Sequence, residues 1–197
     1  MDYLIYGRAA VDVADEDNPE LDEAHWSYMD AFADRMTARG PTLSADRTAW
    51  TGSLHLVNLD DGTAAGAFAV NDPYHRAGLF RDHLIRRFDN LLSRTMWDVT
   101  PDAENVPFLI LAGGDDVPIP AISPAHLSPV VASRLVLWGA LRPINDSLSP
   151  SDRSTGTALA VLAPHEAAAR TLISAEPALL GGRTDWELHA WEFGGRR

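Results

Sequence analysis

Short apolar runs alternate with amphipathic stretches along this chain, in an order that occurs twice. The first run, Tyr3–Gly7, reads as a strand. From Pro19 to Arg39, Leu21, His25, Met29, Phe32 and Met36 recur at helical spacing, which predicts an amphipathic helix ended by Gly40-Pro41. Extended segments follow near Thr42–Ala45 and Ser53–Leu59. A second helix is expected after Asp60-Asp61-Gly62, through TAAGAFAV. It must stop before Asp72-Pro73, because proline disfavours helical geometry in the residue preceding it. A strand over Phe80–Phe88 completes the order β-α-β-β-α-β, which is ferredoxin-like. The same order returns as a strand over 108–112, a helix over 124–138, extended pieces flanking a Pro/Ser-rich loop at 143–154, a helix over 164–174 and a strand over 186–193. Residues 95–107 read as a linker.

The residues repeat along with the pattern. TGSLHLVNLDDGTAAGAFAVNDPYHRAG at 51–78 parallels TGTALAVLAPHEAAARTLISAEPALLGG at 155–182, with Gly52 and Gly156, and Pro73 and Pro177, each 104 positions apart. His25 answers to His126, and LIYG at 4–7 to LILAG at 109–113. A period near 100 residues predicts two small α/β units. Each would have a sheet with one helix-covered face and one bare face. The expected fold is therefore α+β: two ferredoxin-like βαββαβ units, residues 1–98 and 104–197, packed sheet to sheet as a pseudo-dimeric α/β barrel within one chain.

Composition narrows the function classes. An apolar fraction of 46% suits a globular domain. No apolar run approaches a membrane span, and the N-terminus lacks a basic-then-apolar export pattern, so a cytoplasmic location is expected. With no cysteine there are neither disulfides nor thiolate metal sites. The formal charge of −12, with every basic residue an arginine, opposes nucleic acid or an anionic membrane as partner. The acidic run from Asp12 to Glu23 reads as a solvated loop leading into a helix N-terminus.

His25 shares the apolar stripe of the first predicted helix and so faces inward. One reading is a core histidine satisfied by one hydrogen bond; the other is a proton carrier operating near neutral pH. Asp72 is its natural partner. As a plain turn residue before proline it needs no function, but a carboxylate in the last turn of a helix opposes the dipole and calls for a compensating contact. Ser53, with Thr157 at the matching position, offers a hydroxyl at a strand start, or is simply turn chemistry. No G-x-S-x-G elbow surrounds it, so it is not read as a nucleophile. Trp26, Trp50 and Tyr74 are candidates for lining a pocket around an unsaturated or aromatic ligand, and equally for packing. His75 follows Tyr74; the pair becomes Ala178 and Leu179 in the second repeat, which suggests an altered second pocket. Arg47, near Trp50, is a candidate for holding a carboxylate or phenolate. His126, Glu176 and Thr157 form a possible second site. No H-E-x-x-H motif, clustered metal-ligand pattern or phosphate loop is present, and no cofactor is expected.

The helix carrying His25, RGP at 39–41, TGS at 51–53 and above all NDPYHRAGLF at 71–80 resemble the YciI-like (YCII-related) family. The likeness covers most of residues 1–90. In the second repeat it rests on spacing and on EP and GG in place of DP and AG. The family consists of small α/β-barrel proteins related in fold to muconolactone isomerase, usually single units that pair as dimers. Here that pairing would be covalent, with a homodimer of the fused chain as a further possibility. The resemblance implies a site at His25 and Asp72 and lyase- or isomerase-like chemistry, since at least one member is a dehydrochlorinase of a chlorinated hydroxyquinol. The expected function is elimination, isomerisation or cyclisation of a small unsaturated or aromatic metabolite by a His–Asp pair in a dry barrel pocket. The alternative is a non-catalytic small-molecule-binding or accessory protein.

Overall fold

A computed structural model of the chain describes residues 1–10, 18–102, 104–118, 125, 127–144 and 153–195. In chain order the first half contains β1 (Asp2–Ala9), α1 (Pro19–Asp30), β2 (Met36–Leu43), β3 (Trp50–Asn58), α2 (Gly62–Asn71), α3 (Pro73–Arg76) and β4 (Phe80–Asn90). The second contains β5 (Val106–Pro118), α4 (Pro129–Arg134), β6 (Leu135–Arg142), β7 (Arg153–Ala163), α5 (Glu166–Ala175) and β8 (Glu187–Trp191).

The eight antiparallel strands close a barrel in the order β1-β3-β2-β8-β5-β7-β6-β4. Each half contributes four strands in the same sequence, β4-β1-β3-β2 and β8-β5-β7-β6. The halves join edge to edge. At one seam Thr42 faces Trp191 and Leu43 faces Ala190; at the other, the ladder runs from Arg87 opposite Arg142 to Asn90 opposite Gly139. Closure gives each of the eight strands a neighbour on both sides. One hydrophobic cluster draws on both halves and fills the interior, including Leu4, Leu54, Leu56, Leu109, Leu111, Val136 and Trp191. Outside the barrel, Ile5, Met29, Val57 and Phe68 pack the first half's helices onto its sheet, and Ile110, Val131, Leu159 and Ile173 do so in the second half.

Two expected helices are much shorter. The first ends at Asp30; after a 3₁₀ turn at Ala33–Arg35 the chain is already in β2. Met36 continues the four-residue spacing but belongs to the strand, where it is buried against the same outer cluster as Met29. Gly40-Pro41 accordingly lies within a strand. Proline is tolerated there because β2 is the outer strand of its half-sheet and pairs with β8 only through Thr42 and Leu43. The helix expected over 124–138 is represented by α4 alone. From Leu135 to Arg142 every residue is buried in β6, a run apolar on both faces that periodicity does not separate from a buried helix. The 95–107 stretch is not a loose link: it contains a 3₁₀ turn at Met96–Asp98 with Met96 buried, and its last residues open β5. No helix among the described residues is long and apolar enough to cross a membrane.

Candidate functional site

The first half gathers its polar buried groups on the outer face of the barrel, beneath α1. Asn18 caps that helix by accepting a hydrogen bond from the Leu21 N–H at 3.1 Å, and Pro19 occupies its first turn. Capping fixes which side of α1 meets the sheet, and the two residues it buries are His25 and Met29. Asp72 sits at the joint between α2 and α3, ending the first and capping the second. Its Oδ1 accepts the Tyr74 N–H at 2.9 Å. The compensation that a carboxylate at a helix C-terminus requires thus comes partly from the helix that follows.

His25 Nδ1 lies 2.8 Å from Asp72 Oδ1, and both side chains are almost completely buried. The Tyr74 ring stacks on the imidazole with centroids 3.9 Å apart and planes parallel within 1°. The Tyr74 hydroxyl in turn donates to Asp22 Oδ1 at 2.5 Å, one turn earlier on α1. Held by Asp72 and Tyr74, the ring has little rotational freedom. Burial pushes the Asp72 carboxyl up, but hydrogen bonding and charge attraction from His25, with the Tyr74 N–H, bring it below its ordinary 3.8. It therefore stands as a carboxylate that receives the Nδ1 proton and leaves Nε2 as the basic nitrogen.

A cavity of about 250 Å³ adjoins this pair. From β3 it receives Trp50, Ser53 and His55, the last two on one face of the strand through its two-residue alternation. Trp50 Nε1 donates to Ser53 Oγ at 3.3 Å, which leaves the serine proton for another acceptor. His55 lies 5.8 Å from His25, ring to ring; burial, and then the neighbouring His25, take it from its ordinary 6.5 to about 3. It is a neutral imidazole at physiological pH. Trp26, 48% exposed, stands at the rim.

Strand β2 supplies Arg39, Gly40 and Pro41, and the segment after β8 supplies Gly194 and Gly195. This strap crosses from the second half: Glu192 N–H donates to Pro41 O at 3.1 Å and Gly194 N–H to Arg39 O at 2.8 Å. Gly40 has φ +151°, and a Cβ there would sit 1.9 Å from Glu192 O, so only glycine allows the strap to lie this close.

Of the residues singled out from sequence, His25, Ser53, Trp26, Trp50 and Tyr74 line the cavity, with Asp72 behind His25. The cavity is not inside the barrel, whose middle is packed with apolar side chains; it is a cleft between sheet, helix and strap. Arg47 is elsewhere, donating to Pro107 O at 2.9 Å and Trp191 O at 3.3 Å with its guanidinium 5.2 Å from the Phe108 ring centroid, where it ties the halves together. His75 faces His83 at 5.0 Å instead of the cavity. In the second half, Thr157 accepts from Arg183 Nη1 at 3.4 Å, Glu176 makes no side-chain cap to the turn after it, and His126 lies outside the described residues. Sequence reasoning missed Arg39, His55, Pro41, Gly194 and Gly195. His55 was legible as the residue two beyond Ser53 on one strand face, whereas the strap glycines carried no local signal. Among the described residues no group of three or more His, Asp or Glu side chains could hold a metal.

Several solved structures resemble this chain. A 5-chloro-2-hydroxyhydroquinone dehydrochlorinase from Burkholderia phenoliruptrix AC1100, in complex with 2,5-dihydroxybenzoquinone, is 26% identical over 48% of this chain and 99% of that one, with a TM-score of 0.43. A Lactobacillus acidophilus NCFM protein described as a monooxygenase is 7% identical over 98% and 93% of the two chains, with a TM-score of 0.50. A protein described as a chlorite dismutase is 11% identical over 97% and 95%, with a TM-score of 0.53. The last two share the barrel fold and, at that identity, nothing more. No curated protein sequence matches the chain. The family model for the YCII-related domain matches residues 1–89, the segment that carries α1, the Asp72 joint and β1 to β4. The first half of this chain is thus similar to the YCII-related domain.

Proposed function

We propose that the cleft is the active site of a cofactor-independent lyase- or isomerase-type enzyme acting on a small unsaturated or aromatic metabolite. His25 carries the proton: with Nδ1 held by Asp72, Nε2 takes a proton beside a carbonyl or phenol and returns it after the bond shift or elimination. Asp72 orients the ring and stabilises the imidazolium. The Ser53 hydroxyl and the neutral His55 offer hydrogen bonds to substrate oxygens, and Trp26, Trp50 and Tyr74 form the walls. The chain is read as two copies of one βαββαβ unit, residues 1–98 and 104–197, of which the first keeps the site.

The observation that carries this reading is the 2.8 Å His25–Asp72 contact opening on a cavity of about 250 Å³. A buried base with an orienting carboxylate and adjacent space has the geometry of proton-transfer sites. The test is turnover against a panel of small enones, hydroxyquinols and unsaturated acids, with wild type and His25→Gln compared. Acid–base help of this kind amounts to about 10²–10⁴-fold in rate, so kcat should fall by that factor while the melting temperature and ligand binding persist. A His25→Gln protein of undiminished kcat would sink the proposal, as would a wild type that binds panel members and converts none. ¹⁵N NMR adds a substrate-free check: the neutral His25 ring should carry its proton on Nδ1, and Asp72→Asn should redistribute it.

A further inference from the structure

Among the described residues, Arg39 is the one cation lining the cleft and no carboxylate lines it. In a chain of net charge −12 that selection is notable in itself. The residue is only 7% exposed. Its Nε donates to Gly195 O at 2.7 Å and its Nη2 to Asp30 Oδ1 at 2.9 Å, with a second short contact from Nη2 to Gly195 O. Nη1 is buried and, among the described residues, has no hydrogen-bond partner. A guanidinium presents five donors in a fixed fork, and an unmatched buried donor is costly, so such a group is retained where something else meets it.

We infer that the ligand of this cleft is a small organic anion whose carboxylate or phenolate oxygen is received by Arg39. The inference rests on the cleft being the ligand site, and adds the class of molecule that enters it. Placement supports the match. Arg39 is opposite His55 across the β2–β3 ladder, and the cleft walls between them and His25 are Trp50, Pro41 and Met29. An anion anchored at Arg39 would therefore present its carbon skeleton to apolar walls and to the His25 ring. Size fits a single substituted ring: about 150 Å³ of apolar cavity suffices for benzene, and the cleft has about 250 Å³. Asp30 offsets part of the Arg39 charge, which suits a monoanion better than a phosphate ester. The strap contributes through its carbonyl: Gly195 O fixes the guanidinium, so the second half takes part in building the first half's site.

Tryptophan fluorescence, with Trp50 and Trp26 in the cleft wall, reads the test. Benzoate and benzamide are titrated into wild type, Arg39→Met, Asp30→Asn and His25→Gln, each checked for folding by circular dichroism. Wild type should prefer benzoate by about tenfold or more, and Arg39→Met should abolish the preference. Because Arg39→Met also loosens the strap and could fail to fold, Asp30→Asn provides an independent arm: with less of the guanidinium neutralised, benzoate should bind several-fold tighter and benzamide unchanged. Equal affinity for both probes in wild type, no saturable response to benzoate, or a preference that survives in folded Arg39→Met overturns the inference, as does Asp30→Asn without effect on benzoate. His25→Gln separates the two readings. A benzoate preference with full turnover in that variant sinks the proton-transfer proposal alone, and lost turnover without any anion preference sinks the anion assignment alone.

Discussion

Arg39 and Trp138 occupy corresponding places in the two halves, opposite His55 on β3 and opposite Leu159 on β7. Around each, the backbone does the same thing: Gly194 N–H donates to Arg39 O at 2.8 Å, and Leu91 N–H to Trp138 O at 2.9 Å. Each half is thus crossed by the segment leaving the other half's last strand. The side chains differ throughout. Arg39, His55, Ser53, Asp72, Tyr74 and His75 face Trp138, Leu159, Thr157, Glu176, Ala178 and Leu179, and strap residues Gly194 and Gly195 face Leu91 and Leu92. In the second half Trp138, Leu159 and Leu179 are packed in one apolar cluster with Leu91 and Leu92 against it, and the Trp138 indole donates to Leu179 O at 3.0 Å. The comparison teaches that the cleft arises by subtraction. Where Trp138, Leu159 and Leu179, with Leu91 and Leu92, fill the second half with hydrocarbon, the first half has polar side chains and a bare glycine strap.

What the halves share lies at the seams. Gly40 on β2 and Gly139 on β6 hold equivalent positions, and each is pressed by the crossing chain: a Cβ would meet Glu192 O at 1.9 Å or Phe88 ring carbons at 2.3 Å. Closing the barrel demands a residue without a side chain at both joints, whatever the fate of the sites.

The comparison can be broken at several points, with falling cost to the fold. Gly40→Ala should be the most damaging, because it combines a left-handed φ with a backbone clash. About 4 kcal/mol of stability or outright failure to fold is expected, read by chemical denaturation. Leu159→His introduces the first half's residue into a cluster of apolar side chains. Burying that unpaired polar ring should cost about 3 kcal/mol by the same measurement, and a neutral result would mean the second half retains a hidden polar site.

The reverse exchange, His55→Leu, should be tolerated at neutral pH and alter the pH dependence of stability. With its folded value near 3 and its unfolded value near 6.5, His55 binds a proton in the unfolded chain but not in the native one between those limits. Wild type should therefore lose stability as pH falls below 6.5. His55→Leu should remove about 2 kcal/mol of that loss at pH 5, visible as a flatter curve of melting temperature against pH. Least costly to the fold is Gly195→Leu, which copies Leu92 into the strap. Among the described residues, chain neighbours aside, no heavy atom lies within 4 Å of a Cβ at Gly195, so the melting temperature should barely move while benzoate binding is blocked. Undiminished binding there would separate the cleft from the strap.

Much of the barrel was readable because strand periodicity and turn chemistry act locally. The β1, β3, α2 and α5 assignments came within a few residues of the observed bounds, and Pro73 marked the end of α2 as its steric effect requires. The misreadings also have local causes. Met36 kept the helical spacing beyond Asp30, and residues 135–138, the start of a strand apolar on both faces, were read as the end of a helix because the strand is buried from both sides. For the candidate site, the helix stripe placed His25 inward and the Asp-Pro joint offered Asp72 as its partner, while the recurrence at His126 and the resemblance to the YCII-related family pointed to the pair as a site. Arg47 was singled out for its proximity to Trp50 in sequence, which said nothing of where its side chain would lie.

The sequence by itself determined the elements, their repeated order and the polar groups available, because those depend on residues within a turn or two of one another. Only the tertiary structure decided that the middle of the barrel is packed with apolar side chains and that the cleft lies outside it. It also decided that Arg39 belongs to the cleft and that two glycines from the far end of the chain leave it open. The reason is geometric: strands paired across 150 residues come within hydrogen-bonding distance through closure of the barrel, and no local pattern records which side chains that closure will bring together.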